Sequence, residues 1–321
     1  MEYPAIGLLD FGVRHHTLNS LMRVDDLITY ASDADALNYS RLWLGEHHIN
    51  LKAHTWSDPT ILLPVLAGVT DRIRVGVAGV LIGIHQPYHV ATQYKMLANI
   101  FPRRIDLGIA NSGVMPAVAE VATGIKGIQP AKVFKENMEK LFFVLRDEAA
   151  LLEIGTVVPP YKGHLPELWS LTTSMEGALA RALEHRTHLS RSIFHTAADK
   201  EWHTDRMLAF KEEYFSRHGV YPKVNLVFSG VCHKTEAKAQ NALSMVKEGF
   251  EYNLIGTPSF FQEKLLEYQE RYAVDELIFM NVALEPKDRR IGIELLADAM
   301  HLGAAPQKPA PQEPALQTLV S

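Results

Sequence analysis

The sequence has little of what defines several large classes of protein. It contains one cysteine, Cys232, in 321 residues, so no disulfide can form within the chain. This fits a reducing compartment and predicts a cytoplasmic location. The formal net charge of −5 gives no positive field for nucleic acid or anionic lipid, so we expect neither partner. No apolar run reaches the roughly 20 residues that span a bilayer, and the N-terminus has no basic region typical of a signal peptide.

Several catalytic motifs are also missing. No G-x-G-x-x-G follows the first strand-like run, which disfavours a dinucleotide fold, and no G-x-S-x-G elbow suggests a serine hydrolase. No H-E-x-x-H helix is present either. Neighbouring histidines on one loop seldom aim at one ion, and a proline interrupts the other close pair. We therefore expect no metal at these imidazoles, which are His47, His48, His54, His85 and His89.

The chain does contain a regular alternation of strand-like and helix-like segments. Eight β runs are predicted at 6–9, 41–44, 73–82, 105–110, 168–171, 188–194, 224–231 and 276–280. Helical patterns follow them, with start signals such as Asn19-Ser20, Asp58-Pro59 and Thr257-Pro258. Eight βα units favour one α/β domain, a (β/α)8 TIM barrel over 1–303, above an open doubly wound sheet. Residues 304–321 are rich in proline and are predicted to be disordered.

Polar residues gather where the predicted strands end. The second strand ends at Glu46-His47-His48, the third carries Ala78-Gly79, the fourth ends before Asn111, and the fifth runs into Thr172-Thr173-Ser174. In a TIM barrel the carboxyl ends of the strands meet at the catalytic rim. Glu46 and His47 suit a catalytic pair or a structural hydrogen bond. The hydroxyls before the next helix suit an anion site or an ordinary N-cap.

Several segments together resemble the bacterial luciferase-like flavin monooxygenases. They are RLWLGEHH at 41–48, TDRIRVGVAGVL at 70–81, HQPYHVA at 85–91, FPRRIDLGIA at 101–110, PELWSL at 166–171, IGTPSFF at 255–261 and VDELIFMN at 274–281. The resemblance implies a luciferase-like barrel that binds reduced FMN at its mouth and forms a C4a-(hydro)peroxyflavin with O2. That species would transfer one oxygen to a small organic substrate. A separate flavin reductase, bound transiently, would supply the reduced FMN.

The resemblance also implies roles for single residues. His47 would steady the flavin peroxide and move a proton with a pKa near neutrality, and Glu46 would orient its ring. Ala78-Gly79 matches the place of a non-prolyl cis peptide against the flavin ring. The residues that would grip the flavin phosphate are Thr173, Ser174 and Gly177. A homodimer is usual in this family, and an apolar helix face could serve it or pack on the barrel: Leu62, Leu63 and Leu66.

Three positions depart from the family pattern. Asn111 stands where the family commonly has an arginine near the phosphate, and Thr172-Thr173-Ser174 replaces a Gly-Ser-Ser turn. Ala110 stands at the reactive cysteine of bacterial luciferase, so we do not expect light emission. Losing an arginine fork weakens phosphate binding. FMN would then be a loosely held co-substrate, or the chain would use F420 as an oxidoreductase, or it would be a non-catalytic flavin-binding or partner protein.

Overall fold

The computed structural model describes residues 3–13, 18–48, 54–111, 114–173, 176–195, 204–243 and 251–303. Its centre is a closed barrel of eight parallel strands: β1 (Ala5–Asp10), β2 (Arg41–Leu44), β3 (Arg74–Leu81), β4 (Ile105–Ala110), β5 (Glu167–Thr172), β6 (His188–Ser192), β7 (Val224–Cys232) and β9 (Glu276–Asn281). Neighbouring strands pair in chain order, and β9 closes the ring by pairing with both β7 and β1. The predicted TIM barrel is confirmed, and the open-sheet alternative is wrong.

Helices surround the barrel: α1 (Ser20–Ala36), α2 (Leu63–Gly68), α3 (Pro87–Ile100), α4 (Pro116–Thr123), α5 (Pro130–Arg146), α6 (Glu148–Glu153), α7 (Glu176–His185), α8 (Thr204–His218), α9 (Glu236–Asn241), α10 (Pro258–Tyr272) and α11 (Pro286–Ala299). The predicted helix starts at Asn19 and Thr257 are confirmed, whereas the helix expected from Asp58 begins as a 3-10 turn at Thr60 and becomes α-helical only at Leu63. The Asn19 side chain accepts from the N–H of Met22 at 2.9 Å, and Asp58 accepts from Thr60 at 2.9 Å, where a 3-10 turn leads into α2. None of the described helices is both long and apolar enough to cross a bilayer.

Three short elements escaped the sequence patterns. Strand β8 (Leu254–Gly256) pairs with the end of β7, and helices α4 and α6 lie outside the predicted βα units. A three-residue strand shows no alternation, and β8 instead depends on a close approach of two backbones. A Cβ at Gly230 would lie 1.9 Å from the Leu254 carbonyl oxygen, so only glycine fits there. The predicted tail, 304–321, lies outside the described residues.

A buried ionic network, here called the bottom cluster, lies at the amino-terminal end of the strands. It consists of Arg41, Arg74, Asp106, Glu167 and Glu276. Asp106 is fully buried and accepts from Arg41 at 2.6 Å and from Arg74 at 2.6 Å. Burial alone would lower the pKa of Arg41, but the facing carboxylates raise it above its ordinary value. This end of a TIM barrel serves stability, and its charges are paired accordingly.

Candidate active site

A cavity of about 440 Å³ opens at the carboxyl ends of the barrel strands. That volume is within the usual range for a site that encloses a small ligand. Residues predicted from four different strand ends line it together: Glu46, His47, Ala78, Gly79, Asn111 and Thr173. Gly177 lies in the first turn of α7, beside the cavity, and Ser174 lies outside the described residues. The rule that strand ends converge therefore placed most of the predicted residues in one space.

His47 projects into the cavity between two other rings. Its imidazole stacks on His54 with centroids 4.9 Å apart and planes within 5°, and Phe11 meets it at 4.5 Å. Burial lowers the pKa of His47, and the nearby His54 and His195 lower it further, to about 4. The expectation of a pKa near neutrality is therefore wrong. At pH 7 the ring is uncharged, so one nitrogen donates a hydrogen bond and the other accepts one.

Glu46 is the buried acid of the rim, and it holds two other imidazoles. Its Oε1 lies 2.6 Å from His48 Nε2 and 2.7 Å from His85 Nε2, and its Oε2 accepts from the Leu81 N–H at 3.0 Å. Burial raises the pKa of Glu46, but these hydrogen bonds outweigh burial and bring it below its ordinary value. These hydrogen bonds of Glu46 reach His48 and His85, and its role in orienting His47 stays a prediction. Residues two apart on an extended segment face the same side, and that geometry favours His48 as the partner.

The same three side chains resemble a metal site in composition. Among the described residues, Glu46, His48 and His85 form a set whose ligand atoms lie within 4.8 Å of one another. The sequence suggested His48 only beside His47 and His85 only with His89, so this combination with Glu46 was not predicted. The 2.6 and 2.7 Å distances match hydrogen bonds to an oxygen. Ligands on a zinc ion, each about 2 Å from it at tetrahedral angles, would lie farther apart. We therefore interpret the set as a hydrogen-bonded cluster.

Four polar residues of the cavity were not predicted from the sequence. They are Ser190 and Ser192 on β6, His195 beyond the end of β6, and Arg181 on α7. Ser190 is fully buried, and its Oγ has no hydrogen-bond partner among the residues that the structure describes. A buried hydroxyl without a partner is costly, so this atom favours a polar ligand. Burial lowers the pKa of His195 to about 4. The signal available was the spacing of the two serines, which puts both on one face of a strand.

The cavity wall also fits the flat ring of a flavin. The peptide bond between Ala78 and Gly79 is cis, as the resemblance implied. A Cβ at Gly79 would lie 3.0 Å from the backbone nitrogen of Ala110, so a larger residue there would crowd β4. Apolar side chains provide further surface, including Leu9, Leu171 and Val227. A flat apolar wall, a buried free hydroxyl and a neutral imidazole together suit a ring that carries polar edges.

Comparison with known proteins agrees with this geometry. The family model for luciferase-like monooxygenases matches residues 6–274. The chain belongs to this family of oxidoreductases. The luciferase-like chain is 30% identical over 181 residues to the uncharacterised protein YwcH of Bacillus subtilis (strain 168), an alignment that covers 56% of this chain and 54% of YwcH. It thus spans about half the length of that relative.

Two further similarities carry functional names. Over 121 residues the luciferase-like chain is 32% identical to N-acetyl-S-alkylcysteine monooxygenase of Bacillus subtilis (strain 168), covering 38% of this chain and 36% of that one. Its fold matches the oxygenating constituent of 3,6-diketocamphane monooxygenase from Pseudomonas putida, solved in complex with FMN. That match has a TM-score of 0.71 and 16% identity, and it covers 93% of this chain and 98% of the other. At this identity the second comparison shows a shared fold.

Proposed function

We propose that the protein is a monooxygenase that uses reduced FMN and O2 to place one oxygen atom in a small organic substrate. Reduced FMN supplies two electrons, and the second oxygen atom leaves as water. The observation that carries the proposal is the uncharged His47 ring in a cavity whose wall is formed by Ala78 and Gly79. Membership of the luciferase-like monooxygenases and an FMN-bound protein of the same fold support it.

His47 is the proposed proton-handling group. With a pKa of about 4, its ring stays neutral at pH 7. One nitrogen can donate to an oxygen atom in the cavity while the other accepts a proton from it. The stack on His54 and the contact with Phe11 limit how far the ring can turn. Glu46 would act on the rim indirectly, because it joins the loops that carry His48 and His85.

Water exclusion is the second requirement. A reactive oxygen species in open solvent would decay without transferring oxygen, so the cavity floor has to be dry. Buried apolar side chains meet this need, since Trp43 and Phe194 line the cavity with little exposure. Polar groups such as His47, Ser190 and Asn111 stand beside these apolar side chains. This composition fits a small organic substrate beside the cofactor better than a macromolecular one.

A direct test is to mix the protein with photoreduced FMN under anaerobic conditions and then add O2. We expect oxidised FMN to reappear more slowly than in free solution, because the cavity shields the reduced cofactor. His47→Ala should restore fast reappearance, while His89→Ala, which changes an exposed histidine, should not. Identical kinetics with and without wild-type protein would contradict the proposal. Binding of F420 in place of FMN would favour the alternative, an F420-dependent oxidoreductase. Binding of FMN without a change in the rate at which oxidised FMN reappears would favour a storage role.

A homodimer and a transiently bound flavin reductase belong to the same proposal, as does a cytoplasmic location. Leu63 and Leu66 are fully buried, so that part of the apolar face packs on the barrel. A different stripe is open on α2 and the turn before it, where Ile61, Val65 and Val69 are 75%, 42% and 45% exposed. These residues follow the four-residue spacing of one helix face. Ile61→Glu should shift the mass measured by light scattering from dimer to monomer.

A further inference from the structure

Arg181 is a cation without an anion at the edge of the main cavity. It lies on α7 and lines the cavity together with Asn111 and Thr173. Its guanidinium folds back over the first turn of its helix, as long side chains on helices do. A Cβ placed on Gly177 would lie 3.1 Å from Arg181 Nη1, so the missing side chain leaves room for the guanidinium.

Two buried arginines elsewhere in the barrel are paired with carboxylates. Arg23 reaches Asp10 at 2.6 Å, and Arg41 reaches Asp106 at 2.6 Å. Arg181 has no carboxylate or hydrogen-bond partner within the part of the chain that is described, and its guanidinium carbon lies 5.9 Å from the centre of the Phe134 ring. Burial lowers its pKa, and no acidic neighbour offsets that effect. A half-buried cation without a counter-charge at a cavity edge is well placed to bind an anionic ligand.

A second cavity shows where that ligand would extend. It has a volume of about 290 Å³ and shares Arg181 and Asn111 with the first. Lys135 and Glu184 also line it. Arg181 therefore stands at the boundary between the two cavities. A ligand with a flat ring in the first space would bring an attached anion to this boundary.

We infer that Arg181 is the cation that holds the phosphate of FMN, taking the place of the family arginine that Asn111 replaces; this rests on the proposed function. A guanidinium fork matches two phosphate oxygens at once, which a hydroxyl or a lysine cannot do. The Asn111 amide lies at the same boundary, Thr173 lines the first cavity beside it, and both side chains can donate to the remaining oxygens. The arginine that binds the phosphate thus lies on α7 in this chain, and not at the end of β4. FMN is then bound firmly and not held loosely.

The test compares the affinities of FMN and riboflavin, which share the ring and differ in the phosphate. Wild-type protein should bind FMN more tightly than riboflavin in fluorescence titrations. Arg181→Gln should weaken FMN about 10- to 100-fold, the loss of one charge-assisted contact, and leave riboflavin unchanged. Arg181→Lys should fall between the two. The matched control is Arg217→Gln, which removes an exposed arginine paired with Glu213 on α8, and it should change neither affinity.

A rescue variant separates a lost contact from a damaged fold. Asn111→Arg in the Arg181→Gln background should recover FMN affinity, because it returns a guanidinium to the same boundary. Equal FMN affinity in wild type and Arg181→Gln would overturn the inference and leave the proposed function standing. Failure of wild-type protein to bind either flavin would overturn the proposed function itself. A variant that keeps its FMN affinity but loses affinity for an anionic substrate would assign Arg181 to the substrate and refute the phosphate role.

Discussion

The two ends of the barrel differ in how their polar and charged groups are paired. At the bottom, Asp106 is enclosed by guanidinium groups and an indole N–H, and every partner is provided by the chain. At the mouth, His47 is uncharged, Ser190 Oγ is unpartnered, and Arg181 lacks a carboxylate among the residues described. The carboxylates and guanidinium groups of the bottom cluster are paired with one another, whereas the mouth holds a buried hydroxyl and a guanidinium without such partners among the described residues. This difference separates the residues that stabilise the fold from those available for chemistry.

The largest effect is expected from breaking the bottom cluster. Asp106→Asn removes the charge that Arg41 and Arg74 share and leaves a buried guanidinium without part of its compensation. We expect a loss of about 3–5 kcal/mol in the free energy of unfolding, measured in urea. Glu213→Gln, which breaks the exposed pair with Arg217, should cost less than about 1 kcal/mol. Similar losses for both variants would contradict the contrast between a buried and an exposed pair.

At the mouth, activity and stability should separate. His47→Ala should lower oxygenation about 10²- to 10⁴-fold, the usual contribution of a proton-transferring side chain. The free energy of unfolding should change little, because the ring lines a cavity and leaves no closed void. Turnover and urea unfolding measured on the same sample test this. A variant that loses both in parallel would place His47 with the structural residues.

Acid should destabilise the folded protein through the neutral histidines of the barrel. The pKa of His195 is about 4 in the folded protein, against an ordinary value of 6.5, because burial disfavours the charged ring. Between these values the unfolded chain binds more protons than the folded one, so stability falls as the pH drops from 6.5 towards 4. Unfolding measured from pH 6.5 to pH 5, above the range of most carboxylates, should show this slope. His195→Gln should make it shallower, and His89→Gln should not.

The smallest effect comes from two serines on neighbouring strands. Ser170 Oγ lies 2.8 Å from Thr187 Oγ1, whereas Ser190 Oγ has no partner in the described part of the chain. Ser170→Ala should therefore cost about 1 kcal/mol of stability, and Ser190→Ala should cost nothing measurable. The order should reverse for ligand binding, because only Ser190→Ala should lower the affinity for flavin, by several-fold. Calorimetry of both variants with and without FMN decides between these outcomes.

Much of the fold could be predicted because its elements repeat one pattern. Each barrel strand is a run of buried residues, and caps such as Asn19 mark the helices that follow. Strand β8 has no such pattern, because its pairing with β7 depends on a missing side chain at Gly230. Elements defined by local periodicity were therefore visible in the sequence. Elements defined by contact with a distant backbone were not.

The site divides in the same way. Chain order was enough to bring His47, Gly79 and Asn111 to one rim, because parallel strands all end there. The partner of Glu46 and the pKa of His47 depend on burial and on His85, which a linear reading does not place. Arg181 was missed because it lies on a helix and not at a strand end. The roles proposed for these residues remain predictions.

One side chain joins the two ends of the barrel. Trp43 lines the cavity, packs edge-on against Trp169 at 5.2 Å, and donates its indole N–H to Asp106 at 2.8 Å. The fluorescence emission of Trp43 should therefore report on both ends of the barrel. A chromophore bound in the cavity should quench this fluorescence by energy transfer. Loosening of the bottom cluster should let water reach the indole and shift the emission maximum to longer wavelength.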